Sequence, residues 1–111
     1  MSDVVTLYDQ ADQLKSLGKL EEAAAVLREA LELDANYALA HSAMAVVQQR
    51  LQNHEDAIAH ARRVCELEPE DPFSFTALSV TFQRAYAGTG EMKYIQLAEE
   101  AMEKSRILGQ R

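Results

Sequence analysis

Little in this chain breaks a helix, and little in it does chemistry. Four glycines and two prolines among 111 residues, with 48% apolar residues, argue against disorder and fit an ordered helical protein of one domain. The single cysteine, Cys65, excludes an internal disulfide and a multi-cysteine metal site. It falls on the apolar stripe of its helix, so it reads as a small buried hydrophobe; neighbouring Arg62 and Arg63 are thin support for a reactive thiol. No apolar run approaches the roughly 18–20 residues that cross a bilayer. The start, Met1-Ser2-Asp3-Val4-Val5, lacks the basic region and apolar stretch of a secretory signal. A soluble cytoplasmic protein with no membrane partner is expected. Basic residues are also few: the net charge is −7, and no Lys/Arg stripe offsets Glu21, Glu22, Glu29, Glu32, Glu66, Glu68, Glu99 and Glu103. Such a surface repels phosphate backbones, so nucleic acid is not an expected partner. Most of these carboxylates form a solvated convex face.

What is present is a repeat. The stretch from Gly18 to Asp34 aligns without a gap on the stretch from Gln52 to Glu68. The offset is 34 in every column: Gly18 to Gln52, Ala23 to Ala57, Ala30 to Val64, Leu33 to Leu67. Self-similarity at this period marks stacked helix pairs.

Taken in order, Leu7, Ala11 and Leu14 share one helical face over residues 4–17, and Gly18 supplies a left-handed cap. A second helix begins near Leu20, with Glu21 and Glu22 in its positive first turn and Ala23, Leu27, Ala30 and Leu31 inside. Asp34-Ala35-Asn36 closes this pair and is placed to cap the next helix. The second pair runs from Ala38 to about Leu51 and from Glu55 to Leu67, with His41, Ala45 and Gln48 inside and Pro69 as the stop. Pro72 opens the third pair, with Phe75, Ser79 and Phe82 inside. That helix extends to about Tyr86, and Gly88-Thr89-Gly90 breaks it. The last helix, near Glu91 to Leu108, sets Ile95, Ala98, Met102 and Ser105 inward. Ala57 to Ala98 is 41 residues, seven beyond the regular offset. Seven residues make about two helical turns, so both helices lengthen without much rotation of their inner faces.

These residues resemble the tetratricopeptide repeat (TPR) family: Gly18-Lys19-Leu20-Glu21-Glu22-Ala23, Ala30-Leu31-Glu32-Leu33-Asp34, then Ala57 and Glu66-Leu67-Glu68-Pro69. The small residues Ala11, Ala45 and Ser79, and the alanines Ala23, Ala57 and Ala98, fit the same pattern. The resemblance spans residues 4–108 and implies an all-α, right-handed α-solenoid of three TPR-like helix hairpins, the third lengthened. Repeats fall at about 4–37, 38–71 and 72–108 of a single TPR domain. The middle repeat departs most, with His41 and Gln48 at normally apolar columns. Polar Gln10 and Gln13 at one end, and Glu99 and Arg106 at the other, lead us to expect a complete three-repeat protein. Apolar surface around Tyr94, Leu97, Ile107 and Leu108 leaves room for a homodimer.

The resemblance places ligands in the concave groove lined by the first helices. Its columns hold Val5, Leu39 and Phe73; Tyr8, Ser42 and Thr76; Asp12, Val46 and Val80; Lys15, Gln49 and Gln83; Ser16, Arg50 and Arg84. Val46 and Val80 stand out, because the fold does not call for them unless they abut neighbouring first helices. One subclass of the family grips chaperone C-terminal carboxylates with a lysine, asparagine and arginine clamp. Here those columns hold Tyr8, Asp12, Ala43, Phe73 and Ala77, which disfavours chaperone tails. Arg50 and Arg84 remain able to accept a carboxylate or to pair with nearby glutamates.

Other chemistry is not assembled. His54 and His60 are six apart and point away from each other, and His41 lies in a first helix, so no metal site and no cofactor is expected. Gly88-Thr89-Gly90 is too short for a phosphate loop, and Asp9 and Asp12 read as solvated charges. No nucleophile, base and orienting group stand at defined spacing, so an enzyme is not expected. Two functions follow from the resemblance: an adaptor or chaperone-like module that binds a protein or peptide in the groove, or a structural scaffold that forms homodimers or higher oligomers through the groove or third repeat.

Overall fold

The repeat period reappears as helix length. In the computed structural model, which describes residues 3–110, α1 (Val4–Ser16) and α2 (Leu20–Leu33) have 13 and 14 residues. α3 (Ala38–Arg50) and α4 (His54–Leu67) again have 13 and 14. α5 (Pro72–Thr89) and α6 (Lys93–Gly109) have 18 and 17, so the seven extra residues lengthen both helices of the third hairpin as expected. Among the described residues there is no strand.

Local chemistry sets the boundaries. The Asp3 carboxylate accepts the Thr6 amide at 2.8 Å and caps α1, which holds its carboxyl below the usual range. Asp71 caps α5 in the same way through the Phe73 amide, one residue before Pro72 at the helix start. The first two hairpins close on one turn. Lys19 and Gly18 amides donate to the Leu14 and Lys15 carbonyls, and Asn53 and Gln52 amides donate to Gln48 and Gln49. Gly18 takes φ 77° there; Gln52, in the same column, takes φ 67°. A left-handed conformation is free for glycine and strained for glutamine.

Four expectations about these boundaries and faces need correction. Asn36 does not cap α3: its backbone amide bonds back to Asp34, its side chain accepts Arg63, and Tyr37 enters α3 with no side-chain cap. α5 runs past Tyr86 to Thr89, with Gly88 inside it and Gly90 (φ 74°) as the break. A β-carbon on Gly88 would sit 2.3 Å from His54 Nε2, so this glycine allows α5 to lie against the start of α4. Met102 is exposed rather than inward, because the inner face of α6 runs through Tyr94, Ala98, Ala101, Ser105 and Leu108. Tyr94 and Leu108 are therefore core, not free surface for a dimer; Tyr94 stacks near Phe82.

Hairpins stack in sequence order, with α2 on α3, α4 on α5, and the first helices α1, α3 and α5 side by side. Alanines at the crossings have little or no exposure: Ala11, Ala23, Ala30, Ala40, Ala57 and Ala85. They let the backbones approach to about 8–9 Å. One apolar cluster joins α1 and α2 to Met44 and Val47 of α3. A second joins Ala45 on the other side of α3 to Ile58 and Cys65, and to Leu78, Phe82 and Ala98. Burying Leu27 or Met44 completely contributes about 1.5–3 kcal/mol each. Helix α3 thus belongs to both clusters, and its remaining face is left to the groove.

Candidate functional site

α3 and α5 pack directly against each other, with α4 behind them. Between these three lies a cleft of about 360 Å³ lined by Ser42, Ala45, Val46, Gln49, Arg50, Ala61, Val64, Ser74, Ala77, Val80, Thr81 and Arg84. Its lining is mostly apolar at the centre, with the two arginines at one end. Val46 and Val80 stay 39% and 37% exposed, so neighbouring helices do not seal them. Arg50 and Arg84 are exposed, and neither makes an ion pair or side-chain hydrogen bond among the described residues. The glutamate pairing left open in the sequence is absent.

Six of the residues singled out from the sequence meet in this cleft: Ser42, Val46, Gln49, Arg50, Val80 and Arg84. The others go elsewhere. Val5, Leu39 and Phe73 are exposed, Phe73 at 78%, and do not line it. Tyr8 sets its ring edge-on to Tyr37, and Asp12 pairs with Lys15 at 3.3 Å. Thr76 turns to α6, where its hydroxyl lies 2.7 Å from Ser105 Oγ. Gln83 donates to Ser79 Oγ and lines a separate recess with Tyr86, Ile95 and Met102. The groove is thus concentrated between the second and third hairpins.

The cleft also has a floor that the sequence columns did not mark. Ala61 and Val64 come from α4, and Ala45, Ser74 and Ala77 from the small-residue faces of α3 and α5. The signal was available: Ala61 falls in the column of Leu27, which is fully buried in the first hairpin. An alanine where the preceding repeat fills its core with leucine leaves room.

The remaining chemical groups are quiet or unexpectedly placed. Cys65 is buried, its thiol donates to the Ser74 carbonyl at 3.3 Å, and its pKa is pushed up to about 11 by burial and then by Asp71 and Glu66. Such a thiol stays protonated and unreactive near neutral pH. The histidines correct the sequence expectation: His41 and His60 meet across the second hairpin, Nδ1 to Nδ1 at 3.0 Å. Burial, and then neighbouring His41, push His60 below the ordinary imidazole value; Asp56 opposes and Arg28 adds to the shift.

A family model described as "TPR repeat" matches residues 11–52. No curated protein matches the sequence. Among solved structures, the chain is similar to MamA, with 18% identity and TM-score 0.82, over 97% of this chain and 59% of that one. It is similar to the second TPR of Spaghetti (RPAP3) bound to the HSP90 peptide SRMEEVD, with 18% identity and TM-score 0.77, over 96% and 93%. It is also similar to MamA 41-end from Desulfovibrio magneticus RS-1, with 24% identity and TM-score 0.76, over 96% and 56%. The chain thus spans under three-fifths of these MamA chains, and identities this low establish fold rather than ligand. Among the described residues no helix is long and apolar enough to cross a membrane. Residues 11–52 match the tetratricopeptide-repeat model, and the described chain as a whole shares the fold of these solved TPR structures.

Proposed function

We propose that residues 4–108 act as one domain of three repeats, a non-catalytic module that binds a protein segment in the cleft between α3 and α5. The segment is extended, sets small apolar side chains against Val46, Val64 and Val80, and presents a carboxylate to Arg50 and Arg84. The observation that carries this is the pair of half-open valines facing a cleft that ends on two unpaired arginines in a chain of net charge −7. Desolvating apolar surface supplies affinity, and a guanidinium–carboxylate pair fixes direction. The Spaghetti TPR holds an HSP90 peptide, and that peptide ends in acidic and apolar residues. In this chain the columns of the chaperone clamp carry no cation, so a carboxylate would sit further along the groove, at Arg50 and Arg84.

Selection from a displayed random-peptide library with free C-termini tests this. Enriched peptides combine one or two apolar residues with a carboxylate, and the Arg50→Ala/Arg84→Ala variant binds them about tenfold more weakly or worse. A selection without consensus, or binders indifferent to both arginines, contradicts the proposal. Phe73, 78% exposed beside the cleft, favours a second occupant, another copy of this chain. Light scattering across concentration separates the two: a stable dimer weakened by Phe73→Glu supports self-assembly, and a monomer at high concentration supports the peptide-binding module.

A further inference from the structure

Most cations of this chain already have a task within it. Lys15, Arg63, Lys93 and Arg106 pair with carboxylates, and Arg62 and Lys104 lie over the rings of Phe82 and Phe75. Arg50 and Arg84 make no such contact among the described residues, and both are exposed at the same end of the cleft. No Asp or Glu lines that cleft, in a chain of net charge −7.

The two arginines are also in register. Each follows a half-open valine by four residues, Val46 to Arg50 on α3 and Val80 to Arg84 on α5, and the 34-residue offset relates the two pairs. At a rise of about 1.5 Å per residue, the apolar rung and the cationic rung lie about 6 Å apart along the helices. An extended segment advances about 6.6 Å over two residues, and residues i and i+2 face the same way. One ligand side chain thus rests on the valines while the next one on that face reaches both guanidiniums. Charge then selects the group. A carboxylate has two oxygens and satisfies one guanidinium fork; a phosphate monoester has three and carries about −1.5 to −2 near pH 7, enough for two. α3 ends at Arg50, so its dipole disfavours an anion there and the guanidiniums must hold it. Gln49, whose side chain makes no other hydrogen bond among the described residues, adds a neutral donor beside Arg50.

We propose that the cleft between α3 and α5 recognises a phosphorylated serine or threonine in an extended segment, two residues from a small apolar side chain that rests on Val46 and Val80. This inference rests on the peptide-binding reading above and names its ligand: the phosphate takes the place of the carboxylate. The forked geometry of arginine matters as much as its charge, because two guanidiniums share one group. The acidic surface elsewhere repels the same ligand, which confines it to this end of the cleft.

Three degenerate peptide pools, identical except for a central phosphoserine, glutamate or serine, test this on the immobilised full chain. The expected result is retention of the phosphoserine pool about tenfold above the glutamate pool, with the serine pool at background. Alanine or valine is enriched two residues from the phosphate. The Arg50→Ala/Arg84→Ala variant, changed at two exposed positions, keeps its helical circular dichroism and loses the preference. Arg50→Lys/Arg84→Lys keeps the charge and loses most of it. Equal or better retention of the glutamate pool, dependent on both arginines, overturns the phosphate inference and leaves the carboxylate reading standing. Retention of no pool above the level of the alanine variant overturns both. A phosphoserine preference that survives in the alanine variant overturns the assignment to this cleft.

Discussion

The first two hairpins have the same helix lengths, the same turn and a gapless alignment, yet they fill their interiors differently. Leu7, Val26, Leu14, Gly18 and Leu27 in the first become His41, His60, Gln48, Gln52 and Ala61 in the second. The first hairpin is a conventional apolar core. The second replaces a leucine–valine contact with two hydrogen-bonded imidazoles, and Leu14 with a glutamine that accepts from Asn53 at 2.7 Å. It also gives up a glycine turn and a core leucine. Because two crossings keep their alanines, Ala11 and Ala23 becoming Ala45 and Ala57, the backbone survives every one of these changes. The repeat's small-residue columns hold the architecture, and its large-residue columns are free to vary toward other uses.

Substitutions that exchange the two interiors test this, and the largest effect belongs to the filled core. Leu27→Ala gives the first hairpin the alanine of the second and removes a fully buried side chain, at about 2–5 kcal/mol by urea unfolding. Ala57→Leu attacks the shared part instead. It overpacks the crossing inside the second hairpin, where Ala57 is fully buried, and destabilises by about 1–3 kcal/mol. A loss below the lower bound in either case would mean that the interface relaxes more than these packed helices allow.

The histidine pair gives an intermediate effect that depends on pH. His60 in the folded chain sits below its ordinary value near 6.5, so the unfolded chain takes up protons first as pH falls. Stability from this group is complete above that value and is lost as pH drops through it toward the folded-state pKa. The His41→Leu/His60→Val variant has a flatter stability profile between pH 8 and 5 by denaturant titration. Parallel profiles would mean that the pair does not control the acid side. The smallest effect is at the turn: Gln52→Gly relieves a left-handed glutamine and raises stability by up to about 1 kcal/mol, less whatever its contact to His54 contributes.

Much of the fold was legible because it rests on spacing. The 34-residue offset, the alanine columns and the seven extra residues fixed the number, length and order of the hairpins. Boundaries in the third were less legible. Gly88 looks like a breaker in sequence, and its role as a contact to His54 exists only once α5 lies on α4. The face of α6 was misjudged for a related reason: with the lengthened offset its columns no longer align, so Tyr94 and Leu108 looked outward and Met102 inward. The groove was half legible. First-helix columns gave Val46, Val80, Arg50 and Arg84, but the floor at Ala61 and Val64 comes from a second helix. Pairwise distance along the chain also hid the histidines, since positions 41 and 60 meet only across a hairpin.

The most direct measurement on the cleft uses the same exchange in reverse. Ala61→Leu gives the second hairpin the core leucine of the first and fills the floor between Val46, Val64 and Val80. The account predicts an unfolding midpoint equal to or above wild type, together with loss of the library-selected peptides by calorimetry. A variant of unchanged stability that still binds those peptides with wild-type affinity would show that the cleft is not where a partner sits.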